Sequence, residues 1–317
     1  MKILLTGVSS FTGHWIARAA VEAGYEVCCP LTGACSYDGV RRTRMDELPA
    51  SVRVVEHAAF GTPEFLALVR DFRPQALCHH GAYTKNYRSS DFDPLTALAN
   101  NARQAEEVLK QFVVGGGKLL LVTGTFFEAN EGQGELPRRA FSPYGLSKTL
   151  SSQLFDYYAA VHGLTFGKFV IPNPFGKFEE PRFIAYLMEV WMAGKPAAVR
   201  TPNYIRDNIP VDLLASCYAL FLGDLFRQCP VHRAVLRPSG YLETQGQFAQ
   251  RVAREVRART GLPCMLELAE QTEFSEPRVR FNDQAARQIF PKWDERSFWD
   301  DFVNYYTGKC SMERRPL

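Results

Sequence analysis

The first thirteen residues narrow most sharply what this chain can become. Met1-Lys2-Ile3-Leu4-Leu5-Thr6-Gly7 reads as a short strand that runs straight into a turn, Val8-Ser9-Ser10-Phe11-Thr12-Gly13, and Gly13 opens a helix that stops at Gly24. A strand entering a helix through so short a turn aims the helix's unpaired first-turn N–H groups, and the positive end of its dipole, over the strand end. That geometry suits a pyrophosphate. Two glycines at this spacing also occur in turns that bind nothing, so the remainder of the chain has to decide. Further β-rich runs near 25–29, 52–55, 75–80, 117–123 and 165–171 alternate with helical periodicity near 62–72, 91–113 and 143–161. Alternation of this kind predicts an α/β fold, a Rossmann-type doubly wound parallel sheet with helices on both faces. Pro63 after Thr62 suits the first position of a helix capped by the threonine.

Past Ile171 the regularity breaks at Pro172-Asn173-Pro174-Phe175-Gly176. The expected organisation is a dinucleotide-binding domain over 1–171 and, over 172–317, mainly a smaller α/β substrate-binding lobe, some of whose segments return to the first domain. The cleft between them would hold substrate.

With 317 residues, 46% hydrophobic and 22% charged, the chain can build a full core, which excludes disordered and fibrous classes. Its net charge is only +3, with Lys and Arg scattered apart from Arg41-Arg42-Thr43-Arg44, so no footprint for nucleic acid or a membrane surface is expected. No apolar run approaches about 20 residues and the amino terminus enters a strand at once, an expectation of a cytoplasmic protein. Cys28, Cys29, Cys78 and Cys217 fall in apolar segments without any C-x-x-C and are expected to be reduced packing residues. His79 and His80, adjacent in a strand, should face opposite ways and have no third ligand at a recognisable spacing, so no metal is expected.

Tyr144 and Lys148 stand four residues apart in Ser142-Pro143-Tyr144-Gly145-Leu146-Ser147-Lys148. On a helix they share a face, so a phenol and an ammonium can point into one cleft and the cation can favour phenolate. Bringing a tyrosine pKa of about 10 near 7 takes roughly 4 kcal/mol, which a lysine and a nicotinamidium could supply. The pair therefore suggests redox chemistry on a carbinol or ketone, although a packed tyrosine beside a solvated lysine has the same spacing. At the end of the second strand, Cys28-Cys29-Pro30-Leu31-Thr32-Gly33 lacks the acid that binds ribose hydroxyls. Arg41 and Arg42 could pair with a 2′-phosphate, favouring NADP over NAD, or could belong to a solvated basic loop.

With this turn, the Tyr144/Lys148 pair and the strand Leu119-Leu120-Leu121-Val122-Thr123-Gly124-Thr125 between them, the chain resembles the extended short-chain dehydrogenase/reductase family, in its nucleotide-sugar epimerase/dehydratase branch, over nearly its full length. The resemblance implies that Tyr144, Lys148 and Thr125 are catalytic, with Thr123 in reserve for Thr125 as the hydroxyl that holds the substrate oxygen. It implies a coenzyme site made by Gly7, Ser10, Phe11, Gly13, Thr32, Arg41, Arg42, Gly81, Tyr144 and Lys148. It implies a nucleotide-sugar site that draws on Thr84, Lys85, Asn101, Thr125, Asn173 and Arg206. Asn173 and Gly176 match the family's Asn-x-x-Gly turn, and Arg206-Asp207 its Arg-Asp segment, whose arginine clamps a diphosphate. Val170 stands where an Arg is usual, and His57-Ala58-Ala59 where an acid is usual.

Sugar 4,6-dehydratases of the family carry Asp-Glu directly after the Thr125 position, whereas this chain has Phe126-Phe127, with Glu128 one place too late. The local pattern resembles CDP-abequose and CDP-paratose synthases, 4-ketoreductases acting on 4-keto-6-deoxy nucleotide-sugars. A 4-epimerase with tightly held NAD is the alternative, and a non-catalytic dinucleotide sensor a more distant one. The resemblance further implies a homodimer formed by the helices near 91–113 and 143–161. Of Phe126, Phe127, Phe175, Phe178, Tyr186 and Trp191, most are expected in the core.

Overall fold

The computed structural model describes residues 1–230 and 233–313. Strand β1 (Lys2–Leu5) is buried from Ile3 onward and leads into helix α1 (Phe11–Glu22), whose cap Ser10 accepts the Gly13 N–H. Then come β2 (Glu26–Pro30), α2 (Gly39–Asp46), β3 (Arg53–Val55), α3 (Pro63–Phe72) and β4 (Ala76–His79). Thr62 caps α3 by accepting the Phe65 N–H, with proline in the first turn where its missing N–H costs nothing.

The single helix expected over 91–113 is two, α4 (Pro94–Asn101) and α5 (Ala105–Val114). Gln104 takes a left-handed φ of 52° at the break, and the chain there lies against Gly61, where a Cβ would sit 1.9 Å from the Arg103 carbonyl oxygen. A close tertiary approach thus overrides a continuous helical pattern. Strand β5 (Leu119–Thr125) is buried at all seven positions, and after it come the short β6 (Gln133–Gly134), α6 (Pro143–Val161) and β7 (Thr165–Ile171).

The second half opens with β8 (Asn173–Phe175), α7 (Phe183–Met192), β9 (Ala197–Val199) and β10 (Ile205–Pro210). It then returns: α8 (Val211–Arg227) packs on α1, and β11 (Arg233–Leu236) joins the main sheet beside β7. That sheet has seven parallel strands in the order β11-β7-β5-β4-β1-β2-β3. Strand order reverses at β1, between β4 and β2, the switch point beyond which such sheets leave a crevice at their carboxyl ends.

One apolar cluster lies between the sheet and α1 and α8, including Ile16, Leu214, Tyr218 and Leu222; another lies under α3, α5 and α6, including Phe65, Phe112 and Phe155. A third, around Phe175, Trp191, Phe248, Trp299 and Phe302, holds the smaller lobe. Each large side chain so buried contributes about 1.5–3 kcal/mol. Phe126, Phe175, Phe178 and Trp191 are core residues, while Phe127 and Tyr186 line the cleft. Among the described residues, no helix is long and apolar enough to cross a membrane.

Candidate active site

A cleft of about 1730 Å³ runs along the carboxyl ends of β1, β4 and β5 and on between the two halves of the chain. At its first end the backbone itself is the wall. Gly7 has φ +80°, and a Cβ there would lie 2.8 Å from Gly81; a Cβ on Gly13 would lie 2.1 Å from the Gly7 carbonyl oxygen. Thr6 Oγ1 accepts the Gly81 N–H at 2.8 Å, so the turn and the end of β4 are held together. The glycines are required by this close approach, and the result leaves the α1 amino terminus facing open space.

Ser10 stands where a middle glycine is usual, and the structure gives its hydroxyl an internal task. It donates to the Gly7 carbonyl at 2.8 Å and lies 3.2 Å from His80 Nε2, which also meets Thr12 Oγ1 at 3.0 Å. His80 Nδ1 meets Thr123 Oγ1 at 3.1 Å, so one imidazole ties the turn to β5. Burial, reinforced by the Lys148 charge, pushes His80 down to about 3, which keeps the ring neutral with one nitrogen donating and one accepting. His79 packs the other way, between Phe60 and Phe155. Sequence reasoning passed over His80 because its partners lie 43 to 70 residues away.

The basic cluster after β2 divides three ways. Arg41 lines the cleft, stacks 4.2 Å over Tyr37, and donates to Ser9 Oγ through Nε (3.1 Å) and Nη2 (2.7 Å). Arg42 turns outward to Asp46 at 3.3 Å and lies off the cleft wall. Arg44, almost fully buried, crosses to the other half of the chain, donating to the Phe178 carbonyl (3.1 Å) and Glu180 (2.7 Å). Phe11 and Thr32 also line this end.

At the middle of the cleft, α6 delivers Tyr144 in its first turn. Ser142 caps it by accepting the Gly145 N–H at 3.0 Å, and Gly145 permits close packing on the segment after β5, since a Cβ there would meet the Phe127 carbonyl oxygen at 2.3 Å. Thr123, Thr125, Tyr144 and Lys148 all face the same space. The Tyr144 ring sits beside Tyr87 (5.2 Å) and Phe92 (6.1 Å). Thr125 Oγ1 accepts the Phe127 N–H at 3.3 Å.

Burial, the Glu128 carboxylate and Tyr87 push the phenol well above its ordinary value, and burial lowers Lys148 to about 8 against the opposing pull of Glu128. In the chain alone, desolvation outweighs the cation, and the phenol keeps its proton.

Beneath this site lies a group of buried charges that the sequence did not single out. Glu128 is fully buried, accepts the Thr125 N–H at 2.8 Å, and takes a 2.6 Å bond from Lys168 on β7. Lys168 also pairs with Glu131 at 2.8 Å, which pairs with Arg237 at 2.7 Å. Gly124 makes room, for a Cβ there would meet Lys168 Cε at 2.6 Å and Glu128 Oε1 at 2.8 Å. A lysine inside an apolar strand was the available signal.

Toward the far end, Thr84, Asn101, Asn173 and Arg206 line the cleft, while Lys85 is exposed and outside its lining. Asn101 Oδ1 accepts the Tyr83 N–H at 2.7 Å and Nδ2 donates to Ser151 Oγ at 3.3 Å, fixing the loop after β4. Arg206 lies 4.4 Å over Tyr204; it donates to the carbonyls of Ile205, Pro277 and Arg278 and, at 3.1 Å, to Glu276. Asp207 works inward, accepting the N–H groups of Gly240 (2.7 Å) and Asn282 (3.0 Å). Arg88 and Arg182 flank Tyr87, at 5.7 and 6.0 Å from its ring, and add two cations that sequence reasoning did not anticipate.

A family profile described as "NAD dependent epimerase/dehydratase family" matches residues 3–227. The chain belongs to the NAD-dependent epimerase/dehydratase family. A UDP-glucose 4-epimerase of Azospirillum brasilense is 27% identical over 169 residues, a match spanning 51% of this chain and 46% of that relative. Among solved structures, a UDP-glucose 4-epimerase of Stenotrophomonas maltophila with bound NAD and formylated UDP-arabinopyranose shares the fold at a TM-score of 0.76 and 18% identity, covering 98% of this chain and 99% of that one. A dTDP-glucose 4,6-dehydratase of Streptomyces venezuelae does so at 0.72 and 16%, covering 98% of each chain. The residues of this epimerase/dehydratase family member fit a nicotinamide dinucleotide: the glycine cradle leaves a helix amino terminus open to a pyrophosphate, and the same cleft reaches Tyr144 and Lys148.

Proposed function

We propose that the protein is a nucleotide-sugar oxidoreductase that reduces a 4-keto sugar nucleotide at C4, with NADPH preferred over NADH. The pair of aromatic residues directly after Thr125 carries this reading. Phe126 is fully buried and Phe127 stacks on it at 4.9 Å, so neither of the two positions after the threonine offers a carboxylate to remove water from the sugar. Glu128 is spent on Lys168 and the Thr125 N–H. What remains is a hydroxyl, a phenol and an ammonium around one space, a set suited to adding a proton to an oxygen.

The bound coenzyme supplies the hydride. Thr125 would hold the C4 oxygen, Tyr144 would give it the proton, and Lys148 would hold the nicotinamide ribose and supply a positive field as the phenol ionises. Burial keeps the phenol protonated, so it enters the reaction as the proton donor that a ketone reduction needs. Arg41 supports the NADPH preference: it is the cleft-facing cation after β2, and the end of β2 offers no acid to repel a phosphate. Arg206, Asn173 and Thr84 would hold the nucleotide-sugar, the Arg206 fork exchanging Glu276 for a diphosphate oxygen. Exposed Leu95 on α4 and Leu146, Tyr157 and Val161 on α6 support a homodimer through that face.

A second reading, a 4-epimerase, is supported by the names of the curated relative and of the Stenotrophomonas structure. The same three residues would serve it. One experiment separates the two. Consumption of NADPH in equal amount with a 4-keto nucleotide-sugar supports the reductase, whereas interconversion of two sugar nucleotides by protein purified with NAD and given none supports the epimerase.

A further inference from the structure

We propose that Glu128 is a positioning residue for the reaction: anchored by Lys168, its buried carboxylate fixes the Thr125 backbone and acts electrostatically on the Tyr144/Lys148 pair. The inference rests on the reading of Tyr144 and Lys148 as the reacting pair. It goes beyond that reading by assigning a task to a group that does not touch substrate.

Three observations support it. First, the two oxygens of Glu128 are divided between the site and its support, Oε1 taking the Thr125 N–H at 2.8 Å and Oε2 taking Lys168 Nζ at 2.6 Å. A carboxylate held at both ends cannot swing, so the strand end bearing the Thr125 hydroxyl is fixed with it. Second, Gly124 leaves room for the pair, because a Cβ there would displace the end of Lys168 or Glu128. Third, the ion pair is deeply buried, with Glu128 fully enclosed and Lys168 6% exposed. Buried pairs gain little or no stability over apolar residues of similar volume, which makes an electrostatic task the better account of this one.

The titratable groups that interact with Lys148 are Glu128 after β5, Lys168 on β7, and His79 and His80 at the end of β4, with Tyr144 one turn earlier on α6 lining the same space. The two histidines are held neutral by burial, with pKa values of about 3, leaving Glu128 as the anion and Lys168 as the opposing cation. Glu128 therefore favours charged Lys148 and a protonated Tyr144 together, the state in which the site acts as an acid.

The test uses the full chain carrying 13C-labelled lysine, with Lys148→Met to assign the signal and NMR to follow its titration. Glu128→Gln keeps a carbonyl for the Thr125 N–H but removes the charge, and should move Lys148 below its value of about 8 by roughly one pH unit. Glu128→Asp keeps the charge and should leave Lys148 near its original titration while losing the reach to Thr125. The pH profile of turnover should move toward acid in E128Q and keep its position, with a lower kcat, in E128D. If E128Q folds poorly, the double variant E128Q/K168M removes the pair together and should show a smaller shift in the same direction. A Lys148 titration unmoved in the charge-removing variant, or E128D and E128Q behaving alike, would overturn the proposal. The titration needs no substrate, so a wild-type protein without reductase activity counts against the proposed function and leaves this measurement able to decide.

Discussion

The two ends of the cleft are built by different means. The end beyond β1 is made of backbone: Gly7, Gly13 and Gly81 approach so closely that each added Cβ would strike the main chain or the Thr6 hydroxyl. The far end is made of side chains brought from distant segments, with Arg206 held by Glu276 some 70 residues on. A backbone cradle has one geometry and tolerates few substitutions. A side-chain clamp has partners to trade, and so can vary in what it holds.

Five measurements sharpen or break that contrast. Tyr144→Phe, between the two ends, should lower kcat by about a thousandfold while coenzyme binding persists; unchanged biological activity would point to a non-catalytic dinucleotide sensor. Gly13→Val forces a Cβ to within 2.1 Å of the Gly7 carbonyl oxygen. It should weaken coenzyme binding roughly a hundredfold by calorimetry, the equivalent of two lost hydrogen bonds to a charged group. At the opposite end, Arg206→Ala should raise the KM for the nucleotide-sugar by about 10- to 100-fold with kcat nearly kept; an equal fall in kcat would mean that the clamp acts in the transition state. Arg41→Ala should cost about tenfold in KM for NADPH and little for NADH, and equal effects on both would remove the 2′-phosphate assignment.

The smallest effect concerns stability. Lys148 is depressed from 10.5 to about 8 in the folded chain, so between those values the unfolded chain binds the extra proton and stability rises with pH. Below about 8 the penalty is fully present. Replacing Lys148 with Met should therefore flatten the pH dependence of the melting temperature between pH 8 and 10.5, and a parallel curve would show that the ammonium is not desolvated.

The same contrast explains what the sequence could reveal. The turn, the Ser142–Pro143 start of α6 and the Tyr144/Lys148 spacing are local patterns, legible because the residues that matter are close in sequence. The break between α4 and α5 is not legible locally, since the close approach of Gly61 to the Arg103 carbonyl joins residues far apart in the chain. In the sequence Arg44 is only the last member of a basic cluster, because nothing local shows that Glu180 waits 136 residues on. Glu128 was judged only by its distance from Thr125, and the residue that gives it meaning, Lys168, lies on another strand. Lys85, which the family resemblance implies for the nucleotide-sugar site, is exposed beyond the cleft wall.

The return of α8 and β11 to the main sheet has a practical consequence. A gene cut after Ile171 would not release a free-standing parallel-sheet module, because the helix that covers α1 and one face of the sheet, α8, with its own Leu213, Leu214, Cys217, Tyr218 and Leu222 buried in that contact, comes from the discarded half. Its edge strand, bonded residue by residue from Arg233–Phe166 to Leu236–Phe169, would go as well. An exchange of second halves between such chains therefore has to leave α8 and β11 behind, grafting only the stretches on either side of them.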